Sequence, residues 1–162
     1  MNKKIVDSNQ LAKIAESCAE EGRKLVLTNG CFDLLHLGHI RYLEAARSLG
    51  DALVVAINGD DSVCALKGDG RPLNRERDRA EVVAALECVD HVVVFPEVRV
   101  TRLLEQVRPA VYVKGGDYTV DTLHPEERAA LGKIGAEICI LAFEPGYSTS
   151  GLIERMKKLS SP

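Results

Sequence analysis

Apolar residues fall into two rhythms along this chain. Short, near-continuous runs rich in Val, Ile and Leu occupy residues 24–28, 52–57, 91–95, 110–114 and 137–141. Their length and β-branched content predict strands. Between them, 37–49, 76–87, 99–106 and 125–134 show helical spacing or composition. A helix is expected over 8–21, ahead of the first strand, and another over 150–159. Strands that are apolar throughout are buried on both faces, and strands that alternate with helices pair in parallel. Right-handed crossovers then predict one doubly wound α/β domain around a mostly parallel, five-stranded sheet. Residues 24–162 form its expected core, with 1–23 as a helical extension. Ligands of such sheets bind beyond the carboxyl ends of the strands, where the winding reverses.

Composition narrows the function classes. A length of 162 residues fits a single domain, and 46% hydrophobic with 28% charged residues is ordinary for a globular protein. The formal net charge of −3 argues against nucleic acid as a partner. No run is long enough to span a membrane, and residues 1–7 lack the apolar core of a signal peptide, so the expected location is cytoplasmic. Five scattered cysteines without a C-x-x-C pair fit reduced thiols. Neither G-x-x-x-x-G-K-[ST] nor G-x-G-x-x-G follows any expected strand. A nucleotide, if bound, is held by another device.

The most informative stretch runs from Asn29 and Gly30 through Cys31, Phe32 and Asp33 to His36, Gly38 and His39. It follows the first expected strand and opens a helix. Two histidines three apart share one helix face near the positive end of the dipole, where free N–H groups suit a phosphate. Gly38 between them leaves room for a ligand to approach the backbone. Read by themselves, the histidines divide between an anion site, structural packing and half of a metal site. Cys31 as a nucleophile would need a depressed pKa. Near the end of the chain, Tyr147, Ser148, Thr149 and Ser150 precede the last helix. One hydroxyl suffices for a cap, and the surplus suits a second phosphate cradle.

Three further segments fall near the same predicted sheet edge. Lys114-Gly115-Gly116-Asp117-Tyr118 ends the fourth strand, with paired glycines and opposite charges. It reads either as a ligand rim or as a turn with a surface ion pair. Asn58, Asp60 and Asp61 follow the second strand, and either aspartate can instead cap the next helix. Lys67 to Arg75 holds two glycines and a proline and reads as a lid or a plain surface loop.

Residues 30–39 resemble the H-x-G-H element of the nucleotidyltransferase superfamily of cytidylyl- and adenylyltransferases, and residues 146–153 resemble its second motif. Within it, Leu66-Lys67-Gly68, Arg71-Pro72-Leu73-Asn74 and Lys114–Tyr118 are most similar to bacterial D-glycero-β-D-manno-heptose 1-phosphate adenylyltransferases, the ADP-heptose synthases. The resemblance covers about residues 24–156 and implies a Rossmann-like fold. It implies ATP and a sugar 1-phosphate as substrates, with Mg2+ bound alongside ATP and few protein ligands of its own. His36 and His39 would contact the triphosphate, and Asn29, Gly30, Cys31, Phe32 and Gly38 would line the nucleotide. Ser148, Thr149 and Ser150 would hold the β- and γ-phosphates, with Tyr147 beside them in the nucleotide site. Lys67 would act catalytically between the sugar phosphate and the α-phosphate. Asn58, Asp60, Arg71, Lys114 and Asp117 would bound the acceptor. Asp33 is either a magnesium ligand or packing behind the histidines. A homodimer is one arrangement the resemblance implies, with the first helix facing either a partner or its own sheet. Family members are often fused to a kinase, and the expectation here is a separate heptose kinase upstream. Related glycerol-3-phosphate cytidylyltransferases usually carry an arginine shortly before the position of Gly146. Phe143-Glu144-Pro145 stands there instead, which disfavours that alternative.

Overall fold

Five parallel strands make one sheet in a computed structural model that describes residues 2–116 and 118–160. They are β1 (Leu25–Gly30), β2 (Ala52–Asn58), β3 (His91–Phe95), β4 (Val111–Gly115) and β5 (Glu137–Leu141), in the spatial order β3-β2-β1-β4-β5. Among the described residues seven α-helices accompany them: α1 (Ser8–Glu20), α2 (Leu37–Arg47), α3 (Asp60–Lys67), α4 (Glu76–Ala84), α5 (Thr101–Val107), α6 (Pro125–Ile134) and α7 (Thr149–Leu159). Every strand pair is parallel, so the expected sheet is parallel throughout.

Pairing extends β1 beyond its apolar run. Asn29 and Gly30 stay in register with Ala56 and Ile57 of β2, although neither residue favours a strand on its own. Helix α3 is absent from the apolar rhythm, because its four apolar residues, Val63 to Leu66, are consecutive and show no helical spacing. Its N-cap is Gly59, so Asp60 and Asp61 occupy the first turn, where their charges suit the dipole.

Helices cover both faces. On one, Leu11, Ala15 and Cys18 of α1 join Leu103, Leu104 and Val107 of α5 and Leu131 of α6 against Leu25, Leu27, Val54 and Tyr112. On the other, Tyr42, Leu43 and Ala46 of α2 pack with Ala80, Val83 and Ala84 of α4 against Val26, Leu53, Val55 and Val113. The apolar face of α1 is therefore spent on its own sheet, and Ile5 adds a parallel bridge to Val92 on β3. The winding runs one way from β1 through β3 and the other way from β4 to β5. Its reversal lies between β1 and β4, where their two carboxyl ends open a crevice.

Candidate active site

Beyond β1 the chain turns back into α2. Phe32 adopts a left-handed conformation (φ 47°) that lays its buried ring against His39, with centroids 5.4 Å apart. Asp33 is buried. Its carboxylate accepts the Leu73 N–H at 2.8 Å, the Asn74 N–H at 2.9 Å and Arg71 Nε at 2.8 Å. Its carbonyl accepts Asn74 Nδ2 at 2.7 Å. Burial pushes the Asp33 carboxyl up, but the amides of Asn74 and Leu73 and the Arg71 guanidinium outweigh it and hold it below its usual range. Asp33 is thus the tether of the loop before α4. Arg71, expected beside the acceptor, turns its Nε onto that tether instead.

His36 caps α2. Its Nδ1 accepts the His39 N–H at 3.3 Å, which leaves the proton of a neutral ring on Nε2. The two imidazoles stack with centroids 3.8 Å apart and planes 23° from parallel. Tyr147 stacks on His36 at 6.2 Å, joining the two sequence motifs across the domain. Among the described residues nothing bonds the buried His39 Nδ1. Burial, then the neighbouring His36, lowers the His39 pKa to about 4, and burial lowers His36 as well. A Cβ on Gly38 would stand 2.9 Å from Tyr147 Cβ and 3.0 Å from His36 Nδ1. Gly38 therefore makes room for the stack.

The second motif meets the first from α7. Ser148 is its N-cap, accepting the Gly151 N–H at 3.0 Å, and Thr149 Oγ1 donates to the Leu34 carbonyl at 3.3 Å. Ser150 is exposed in the first turn. The starts of α2 and α7 are thereby linked, with the aromatic stack between them. Two sets of unpaired helix amides in one place can hold a polyphosphate.

Other expected residues carry the frame. Asn58 is buried, and its amide donates to Ser62 Oγ at 2.8 Å and to the carbonyls of Glu97 and Val98 at 3.4 Å, so it fastens β2 instead of facing an acceptor. Asp60 binds Arg79 Nη2 at 2.8 Å. The Cys31 carbonyl accepts Arg79 Nη1 at 2.5 Å. Burial raises the Cys31 thiol against the pull of Lys67, Arg79 and Arg71, leaving a poor nucleophile near neutral pH. Lys67 is exposed in the last turn of α3.

At the reversal point, Asn29 Oδ1 accepts the Tyr112 hydroxyl at 2.7 Å. Lys114 Nζ lies 3.5 Å from Glu127 Oε2 and 5.2 Å from the centre of the Tyr118 ring. A Cβ on Gly115 or Gly116 would stand 2.5 or 2.7 Å from the Phe143 ring, so these glycines accommodate an aromatic side chain of the protein itself. Glu144 pairs with Arg41. Asp117 lies outside the described residues. Among the described residues no three His, Cys, Asp or Glu gather as a metal site, and no helix is long and apolar enough to cross a membrane.

A family model described as cytidylyltransferase-like matches residues 27–155, which takes in both motifs and all of the sheet but the first two residues of β1. The chain belongs to the cytidylyltransferase-like family. Among curated relatives it is similar to the bifunctional protein HldE of Geobacter sulfurreducens, 46% identical over 96% of this chain and 31% of that one. HldE of Helicobacter pylori (strain P12) is 47% identical over 91% of this chain and 30% of the relative. The chain thus spans about a third of the length of the curated relatives it matches. Among solved structures, a lipopolysaccharide core biosynthesis protein of Thermoplasma volcanium shares a TM-score of 0.61 and 29% identity, covering 76% of this chain and 98% of its own. A pantoate-beta-alanine ligase of Francisella tularensis, at TM-score 0.60 and 18% identity over 97% of this chain and 73% of its own, shares the fold.

Two residues of this nucleotidyltransferase domain escaped the sequence reading. Arg79 is wholly buried, donating to the carbonyls of Asn74, Cys31 and Asn58 and to Asp60. It stitches β1, β2, α3 and the tethered loop into one rim. Glu127 is buried on α6 beside Lys114. Each had a signal: Arg79 stands four before Val83, and Glu127 three and four before Ala130 and Leu131. A charge in line with an apolar helix stripe faces inward and needs partners there.

Proposed function

We propose that this domain transfers an adenylyl group from ATP to a heptose 1-phosphate. An oxygen of the sugar phosphate attacks the α-phosphorus, the bond to the bridging oxygen of pyrophosphate breaks, and ADP-heptose and pyrophosphate result. The observation that carries this reading is the His36–His39 stack held between the starts of α2 and α7. It supports phosphate chemistry because rings and helix amides offer donors in a fixed frame, which is what charge developing on transferring phosphoryl oxygens needs. The attacking phosphate is already anionic near neutral pH, so the residues serve by positioning and by donating, with no base required.

In this reading His36 donates from Nε2 while His39 faces the same phosphates. The amides of α7, with the hydroxyls of Ser148, Thr149 and Ser150, hold the β- and γ-phosphates. Lys67 neutralises charge between the two substrates. Lys114 and Asp117 bound the acceptor. Magnesium would arrive with ATP and offset charge on the leaving pyrophosphate. The donor set suits a cation carried by the nucleotide, since Asp33 is already committed to Leu73, Asn74 and Arg71. The heptose is supported by the motifs at Lys67, Arg71–Asn74 and Lys114–Tyr118 together with the HldE relatives. The family description keeps CTP in view, and a cytidylyltransferase acting on glycerol 3-phosphate is the second reading.

The test is pyrophosphate release with magnesium, crossing ATP and CTP with β-heptose 1-phosphate and glycerol 3-phosphate. Turnover confined to ATP with the heptose phosphate is expected. Preference for CTP with glycerol 3-phosphate would retain the phosphate chemistry and replace both substrates.

A further inference from the structure

The crevice between the carboxyl ends of β1 and β4 holds a group that the phosphate chemistry does not use. Glu127 enters it from the first turn of α6, with only 4% of its surface exposed. Its protein contact is Lys114 Nζ, at 3.5 Å from Oε2. Among the described residues no donor reaches Oε1. A structural ion pair at this depth offsets the loss of hydration with short and multiple hydrogen bonds. Here the pair is long and single, and Lys114 in turn leans 5.2 Å above the half-exposed ring of Tyr118. Tyr112 and Asn29 close the floor, joined hydroxyl to amide at 2.7 Å. The negative charge of Glu127 reaches this floor too: it adds to burial in holding the Tyr112 hydroxyl well above its usual pKa.

We infer that Glu127 is a specificity-determining residue that accepts hydrogen bonds from the hydroxyl groups of a polyhydroxylated acceptor, with Lys114 donating to the same group and Tyr118 flanking it. An acceptor-only carboxylate beside an ammonium matches vicinal hydroxyls, which both donate and accept. An aromatic ring alongside suits the C–H groups of a sugar, which pack on its face. A bare phosphate would not call for a buried anion there, because the carboxylate repels it. The arrangement rests on the acceptor reading proposed above and deepens it. It explains how one phosphorylated polyol is told from a shorter one, since a site built to bond hydroxyls rejects acceptors that leave its polar groups unpaired.

The experiment is steady-state kinetics of the wild type, Glu127→Gln and Glu127→Asp, with ATP, magnesium and three acceptors: heptose 1-phosphate, a hexose 1-phosphate and glycerol 3-phosphate. For Glu127→Gln the KM for heptose 1-phosphate should rise about tenfold or more, while KM for ATP and kcat stay within about twofold. The penalty should shrink for acceptors with fewer hydroxyls. Glu127→Asp keeps the charge and withdraws it by one methylene, so it should recover part of the loss, which a purely structural role would not produce. Equal changes in the KM of ATP and acceptor, or an unchanged acceptor KM in a folded Glu127→Gln protein, would overturn the inference and leave the adenylyltransferase reading intact. Wild-type preference for glycerol 3-phosphate over both sugar phosphates would overturn both.

Discussion

Replacing Asp33 by Asn tests the frame of the site with the least ambiguity. The wild-type carboxylate accepts two backbone N–H groups and one guanidinium Nε, all at 2.8–2.9 Å. The amide keeps one acceptor oxygen, turns an NH2 toward the remaining donors and deletes the charge opposite Arg71. Hydrogen bonds to a charged group are worth about 1.5–3 kcal/mol each. Two of the three are lost or inverted, while the partly exposed Arg71 recovers some hydration, so a net loss of about 3 kcal/mol follows. For a domain of this size each kcal/mol moves Tm by about 2–4 °C, giving a fall of roughly 6–12 °C. The pH dependence adds a second signature. The folded carboxyl sits below its ordinary value, so its stabilisation is complete above an unfolded pKa of about 3.9 and disappears as pH falls through the folded pKa. Urea denaturation of both proteins from pH 7 downward should therefore show a gap that stays constant to about pH 5 and narrows below pH 4. A Tm change under about 2 °C at pH 7, or a gap that does not close in acid, would refute the tether.

Further outcomes bear on the stack and the rim. His39→Ala should lower kcat by about 100-fold with a much smaller change in ATP affinity, measured by pyrophosphate release and calorimetry; turnover within threefold of wild type would remove His39 from the mechanism. Because His39 titrates at about 4 when folded and near 6.5 when unfolded, the unfolded chain binds more protons between those values, and wild-type stability should fall by about 1–2 kcal/mol from pH 7 to pH 5. His39→Phe should flatten that slope in the same denaturation series. Gly38→Ala forces Tyr147 and the His36 ring apart, so activity should drop at least tenfold while the fold survives, with circular dichroism checking the latter. Arg79→Met strands three carbonyls and the Asp60 carboxylate and should cost about 3–5 kcal/mol in chemical denaturation.

Much of this architecture was legible in the sequence because the period of apolar residues is a local property. Strands β3 and β5 and helix α6 coincide with the expected segments. The pairing of His36 with His39 on one helix start was equally readable, as was a capping role for one of the hydroxyls before the last helix, which falls to Ser148. Short range could also mislead. Asn58 and Asp60 looked like a polar rim because polar residues after a strand usually meet solvent, yet Asn58 is consumed by Ser62, Glu97 and Val98, and Asp60 by Arg79. Helix α3 was hidden because it is short and its four apolar residues, Val63 to Leu66, run consecutively without helical spacing, with only Val63 of them buried.

The sequence by itself determined the strand–helix alternation, the doubly wound class and the two helix starts proposed to face phosphate, since each depends on side chains within a few residues of one another. Tertiary structure alone decided which groups meet. His36 and Tyr147 are 111 positions apart and stack only because the sheet brings the starts of α2 and α7 together. Asp33 reaches the loop at 71–74, Arg79 reaches three segments, and Glu127 reaches Lys114, through the order of the strands and not the order of the chain. The His39 pKa belongs to the same category. An imidazole is displaced to about 4 only when neighbours remove its water, and burial is a property of the folded whole.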